Sequence, residues 1–226
     1  MVNRFYRLVR KQMSTRLFQS LSRATRHDNP WEYFTFGQAL SPQQIDEIRN
    51  ADIKRDGVLH DGTRSGYKEG VEKQNHKFRA YITNENRSEY PELVSFIKEL
   101  QSKPIREMIA KMVGNKDNFA NSYVRLEVLN DTKGFWLKPH CDIPEKLISS
   151  LIYVNQTGEN VSLGTDLYDE NLELKHTVPF WHNYGYIFHG PNKWHGMEEG
   201  KEIQVERRGI QLNYVTFKTD WKVYED

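Results

Sequence analysis

The spacing of apolar residues changes once along this chain, near residue 120, and that change limits the available folds more than any other feature. Before it, hydrophobic side chains recur at helical intervals. Ser41–Pro42 reads as an N-cap followed by proline in the first turn, and Ile45 and Ile48 give a short amphipathic helix reaching about Lys54. Pro91 opens a second helix carrying Leu93, Phe96, Ile97 and Leu100. Pro104 opens a third with Ile105, Met108, Ile109 and Met112, closed by Gly114. Beyond the change, Val124, Leu126 and Val128 alternate with Tyr123, Arg125 and Glu127, the two-residue period of a half-buried strand over 122–130. Further strands are predicted over 149–155, 172–178, 184–188 and 209–217, separated by Gly, Asn and Pro turns. Helices followed by strands predict an α+β chain with a β-sandwich or barrel in its second half and helices packed on one sheet.

Two stretches stand apart from this order. Residues 1–28 form a basic amphipathic segment in which Phe5, Val9, Met13, Leu17 and Leu21 recur every four residues among arginines, with no acid before Asp28. Three readings fit it: a helix docked on the domain, an Arg- and Ser-rich transit peptide, or a cationic helix lying on an anionic membrane surface or a partner. Residues 29–226 read as a single domain, helical over 29–120 with a β core over 121–217. Within it, 55–77 is a long loop rich in Gly, Lys and His. Loops of that length commonly act as lids, which makes it a candidate substrate cover.

Composition excludes several classes. The 32 Lys and Arg are balanced by 31 Asp and Glu, a net charge of +1 that argues against an electrostatic nucleic-acid binder. The longest largely apolar stretch, 147–154, is far too short for a membrane span. The single cysteine, Cys141, rules out an internal disulfide framework, fits a reducing compartment and leads us to expect a cytoplasmic protein.

The residues that carry chemistry are His140, Asp142 and His195. In His140–Cys141–Asp142 the two ligand-type side chains lie two residues apart, on the same side of an extended segment, with Cys141 turned away. His195 follows in Lys193–Trp194–His195–Gly196, and beyond it Arg207–Arg208 open an apolar strand. Two imidazoles and one carboxylate on one face are the donor set of the facial triad that holds non-haem Fe(II) and leaves coordination positions open. The absence of thiolates argues against structural zinc. His189 is the rival for the second imidazole, but His-Gly-Pro-Asn reads as a turn, and His195 is favoured.

At these residues the chain resembles the Fe(II)/2-oxoglutarate-dependent dioxygenases, most of all their prolyl-4-hydroxylase-like branch. The order is His-x-Asp, about fifty residues, His, about a dozen residues, then Arg at the head of the last strand. Gly134, the run Leu151 to Asn155, Gly164–Thr165 and the run Gly185 to Phe188 fall at matching places. The likeness covers roughly residues 120–217. It implies a double-stranded β-helix, a cupin-like jelly roll. It also implies an enzyme that uses Fe(II), 2-oxoglutarate and O2 to hydroxylate a small-molecule or peptidyl substrate, with release of succinate and CO2. Carried over, His140, Asp142 and His195 are the metal ligands, and an arginine binds the distal carboxylate of 2-oxoglutarate through paired hydrogen bonds.

Arg207–Arg208–Gly209 matches the family's Arg-x-Ser with glycine in place of serine, which favours Arg207 and sends Gln211 and Asn213 toward the pocket. The opposite strand phase puts Arg208 inward instead. Asp131 falls where the branch often carries a tyrosine that touches the cosubstrate, and Arg79, Arg125 and Glu127 are candidate substrate contacts. Two rivals stand beside the enzyme: a non-catalytic cupin-like metal- or ligand-binding protein, and an interaction module working through its N-terminal helix.

Overall fold

The computed structural model describes residues 15–53, 76–117 and 119–224. Most of the cationic N-terminal stripe lies outside the described residues, and so does the candidate substrate cover over 55–77 except for its last two residues, His76 and Lys77, of which Lys77 already belongs to a strand. Thr15 is extended and accepts a hydrogen bond from the Phe18 amide, so it caps the start of a helix, α1 (Arg16–Ser22). Leu17 and Leu21 on α1 are buried in the main core, and a short strand, β1 (Thr25–His27), follows and pairs with β2 (Tyr33–Gly37).

The helical half follows its capping signals. In α2 (Pro42–Asn50) the Ser41 hydroxyl accepts from the Gln44 amide while the Gln44 carboxamide accepts from the Ser41 amide, a complete capping box. The helix stops short of the expected Lys54. After β3 (Lys77–Tyr81) come α3 (Pro91–Leu100) and α4 (Lys103–Val113), the latter ended by Gly114 in the left-handed conformation with φ 68°.

The remaining strands are β4 (Tyr123–Asp131), β5 (Leu137–His140), β6 (Lys146–Tyr153), β7 (Thr165–Tyr168), β8 (Leu174–Val178), β9 (Tyr184–His189), β10 (His195–Met197), β11 (Arg207–Val215) and β12 (Trp221–Lys222). They form two antiparallel sheets. The larger runs β1-β2-β9-β6-β11-β4-β12, with β3 also paired to β4, and the smaller runs β5-β10-β7-β8. Short β5, β7 and β10 had no periodic signal of their own, because three or four residues are too few to show alternation.

The larger sheet separates two cores. From its helical face Val124, Leu126, Val128, Ile148, Ile152, Ile210, Leu212 and Tyr214 pack on Ile45, Ile48, Leu93, Phe96, Ile97 and Leu100 of the helices. From the opposite face Tyr153, Tyr186 and Phe188 meet Leu167, Val178, Phe180 and Met197. Each strand between the layers therefore sends alternate side chains into different environments.

At one crossing only glycine fits. A Cβ on Gly209 would lie 2.4 Å from the Ile152 carbonyl oxygen, on backbone that cannot swing aside. This accounts for glycine at the position where the family resemblance leads one to expect serine. Gly209→Ser is expected to lower stability by about 1–3 kcal/mol, read as a reduced denaturant midpoint with unchanged slope.

Candidate active site

The site is built at the edge where the two sheets face each other. β5 and β10 are antiparallel partners, and their register sets His140 directly opposite His195. Asp142 follows β5 by two residues. One ligand atom from each of His140, Asp142 and His195 lies within 4.8 Å of the other two, and this is the only such group of three or more among the described residues. The two imidazole rings are 4.4 Å apart, and His195 Nε2 lies 3.9 Å from Asp142 Oδ2. His189, which ends β9, takes no part in this group.

Each ring is fixed by its neighbour in sequence. His140 Nδ1 lies 2.9 Å from the Lys138 carbonyl and His195 Nδ1 lies 2.8 Å from the Lys193 carbonyl. A carbonyl only accepts, so Nδ1 carries the proton in both rings and Nε2 is left as a lone-pair donor. Phe188 packs edge-on against the His195 ring at 5.2 Å. Asp142 is held from both sides, Oδ1 accepting from Lys146 Nζ and Oδ2 from the Ser149 hydroxyl, each at 2.5 Å.

Protonation follows from this packing. Burial, then the nearby His195, pushes the His140 imidazole down from its ordinary 6.5 to about 3, and burial lowers His195 as well. Burial works against ionisation of Asp142, but His195 and Lys146 overcome it and hold the carboxyl well below the usual range. Two neutral imidazoles and an ionised carboxylate converging within a few ångströms are a donor set suited to a divalent transition metal.

The cleft continues from these ligands past Thr165, Tyr186 and Gln211 to Arg207. Arg207 points inward and is buried. Its Nε donates to the Leu163 carbonyl at 2.5 Å, Nη1 to Asp131 Oδ2 at 2.6 Å, and Nη2 lies 3.4 Å from both the Tyr153 and Thr165 hydroxyls. Arg208, the other arginine considered, is on the opposite face. It donates to the Ile48 and Ala51 carbonyls at the C-terminus of α2 and to Glu206, so strand alternation removes it from the cleft. Gln211 lines the cleft, and Asn213 is buried against Ser149.

Of the candidate substrate contacts, Arg79 lines the cleft and pairs with Asp131 at 2.7 Å. Arg125 instead stacks on Tyr81, donates to its hydroxyl at 2.6 Å and lies 3.5 Å from Glu127. Lys77 and Lys146 also line the cleft, and sequence reasoning missed both. Lys77 lies next to Asp131 in register, and burial followed by the Arg79 charge pushes its ammonium down to about 8. The one usable signal for Lys146 was its place four residues after Asp142, across a turn closed by a hydrogen bond from the Lys146 amide to the Ile143 carbonyl at 3.0 Å. Tyr153 and Thr165 lay in stretches already matched by resemblance, but only the sheet phase reveals that they face Arg207.

This geometry can be set beside known structures. A solved prolyl-4-hydroxylase of Pseudomonas putida superposes with a TM-score of 0.56 at 12% identity, covering 82% of this chain and 92% of that one. The fold is shared with the prolyl-4-hydroxylases. A prolyl hydroxylase from Trichoplax adhaerens, solved with a hypoxia inducible factor peptide fragment, gives 0.54 at 16% identity over 81% and 83% of the two chains. An oxidoreductase of the 2-oxoglutarate–Fe(II) oxygenase family from Burkholderia pseudomallei gives 0.53 at 13% identity over 78% and 79%. No family profile and no curated protein sequence matches the chain. Identities this low establish the fold, and the chemistry must come from the side chains themselves. No helix among the described residues is long and apolar enough to cross a membrane.

The lowered His140 value fixes the sign of a pH effect. The unfolded chain binds a proton at this residue below about 6.5, whereas the folded one resists it down to about 3. Acidification across that window therefore favours unfolding. The melting temperature of metal-free protein is expected to fall between pH 7 and 4, with a shallower slope in His140→Gln, measured by circular dichroism.

Proposed function

We propose that this chain is an Fe(II)- and 2-oxoglutarate-dependent dioxygenase that hydroxylates a small-molecule or peptidyl substrate. The observation that carries the reading is the convergence of His140, Asp142 and His195 at one end of a cleft with a buried, inward-facing Arg207 further along it. The shared fold supports it, and in this reading the two sheets are the halves of a double-stranded β-helix.

His140 Nε2, His195 Nε2 and an Asp142 oxygen would hold the iron on one face. When bound, iron and 2-oxoglutarate supply oxygen activation coupled to formation of succinate and CO2. The chain's own part is positional. The Lys138 and Lys193 carbonyls keep both rings aimed, and Ser149 keeps Asp142 from rotating. Lys146 neutralises Asp142 in this structure, so a cation seated among the three ligands competes with that ammonium for the same carboxylate. Arg207, with the Thr165 and Tyr153 hydroxyls beside it, would receive the distal carboxylate, and Leu137, Leu151 and Met197 make the intervening wall apolar enough to limit water.

Anaerobic titration with Fe(II) and 2-oxoglutarate tests the proposal. The expected result is a weak visible charge-transfer band that is absent in His140→Ala and His195→Ala. Arg207→Met should raise the 2-oxoglutarate dissociation constant by about 10- to 100-fold, the worth of hydrogen bonds to a charged group, with metal affinity unchanged. Metal binding with no response to 2-oxoglutarate would identify a non-catalytic metal-binding protein instead.

A further inference from the structure

Arg207 meets the cleft with a carboxylate already attached. Asp131 is fully buried and accepts from two guanidinium groups at once, Oδ2 from Arg207 Nη1 at 2.6 Å and Oδ1 from Arg79 Nη1 at 2.7 Å. Register explains the geometry. Asp131 and Arg207 are cross-strand partners on β4 and β11, and Arg79 lies on β3 along the other side of β4, with its side chain on the same face. Phe135 packs between the two cations, its ring centre 6.0 Å from the Arg79 guanidinium carbon and 5.9 Å from that of Arg207. Both arginines line the same cleft as the side chains of His140, Asp142 and His195.

The arrangement poses an electrostatic problem for the functional reading. A distal carboxylate brought to Arg207 would share one guanidinium with Asp131, two negative charges against one positive in a buried place, and like charges so placed disfavour one another. Arg79 removes the conflict. With it the receptor holds two positive charges and one negative, and an incoming carboxylate completes the balance. Arg79 is itself built for such a role: its side chain is only 9% exposed, and its Nε is buried without a hydrogen-bond partner. Buried guanidinium donors are costly when left unpaired, so this one favours an anionic acceptor.

We infer that Arg79 is a specificity-determining residue which, with Arg207 and their shared counter-ion Asp131, forms a two-guanidinium receptor selecting a dicarboxylic 2-oxo acid over a monocarboxylic one. The inference rests on the functional reading above and adds a residue to it. Its distinguishing feature is charge compensation: the loss of Arg79 leaves Asp131 to repel the ligand, and removing Asp131 as well restores the balance.

The test measures binding to the full chain loaded with Mn(II), by calorimetry, using 2-oxoglutarate and 2-oxopentanoate, which differ only in the distal carboxylate. Arg79→Met should weaken 2-oxoglutarate by about 10- to 100-fold and leave 2-oxopentanoate within about threefold. Arg79→Met combined with Asp131→Asn should bring 2-oxoglutarate back to within about fivefold of the parent chain. Asp131→Asn alone, which serves if Arg79→Met does not fold, should tighten 2-oxoglutarate and leave 2-oxopentanoate unchanged. Equal weakening of both acids by Arg79→Met would mark a structural role and overturn the inference. So would an unaltered 2-oxoglutarate affinity, which would shift the compensating charge to Lys77, and so would a double variant no better than Arg79→Met. A parent chain that binds 2-oxopentanoate as well as 2-oxoglutarate overturns the inference alone, whereas one that binds neither overturns the functional reading with it.

Discussion

Cross-strand pairing between β5 and β10 is the constraint on which the site depends. Residues far apart in the chain, His140 and His195, become neighbours because these two short strands meet in antiparallel register. The pairing brings the imidazoles together, and the bonds from each Nδ1 to a carbonyl two residues upstream set which nitrogen looks outward. Asp142 needs only to fold back over the same edge, where Ser149 of the facing sheet receives it. A shift of one residue in that pairing would turn one ring to the other face and dismantle the group.

Much of this was legible in the residue order. The helices were marked by Ser41–Pro42, by Pro91 and Pro104, and by Gly114, and all three formed with the caps their signals specify or close to them. The alternation of Val124, Leu126 and Val128 identified β4 and its apolar face. The three ligand-type residues could be named because their side-chain chemistry is narrow and their order is shared with a known family.

What stayed hidden depended on tertiary placement. β5, β7 and β10 are too short to announce themselves, and β3 gains its meaning only by lying beside β4. The choice between Arg207 and Arg208 is a choice of strand phase, which local pattern leaves open and the packing of Ile210 and Leu212 on the helices decides. The ion pair joining Arg79, Asp131 and Arg207 spans three separate strands, so no local window contains it. Asp131 looked like a simple departure from the family pattern, yet in three dimensions it is the centre of a charge network.

Arg207 and Arg208 give β11 two anchors on opposite sides, one in the cleft and one on the carbonyls that end α2. Slipping the strand by a single residue would therefore bring two simultaneous penalties: buried Asp131 would lose the Arg207 guanidinium, and the carbonyls that end α2 would lose that of Arg208. Because the same short dipeptide is anchored in both layers, the register of β11 ties the geometry of the cleft to the seating of the helices on the sheet.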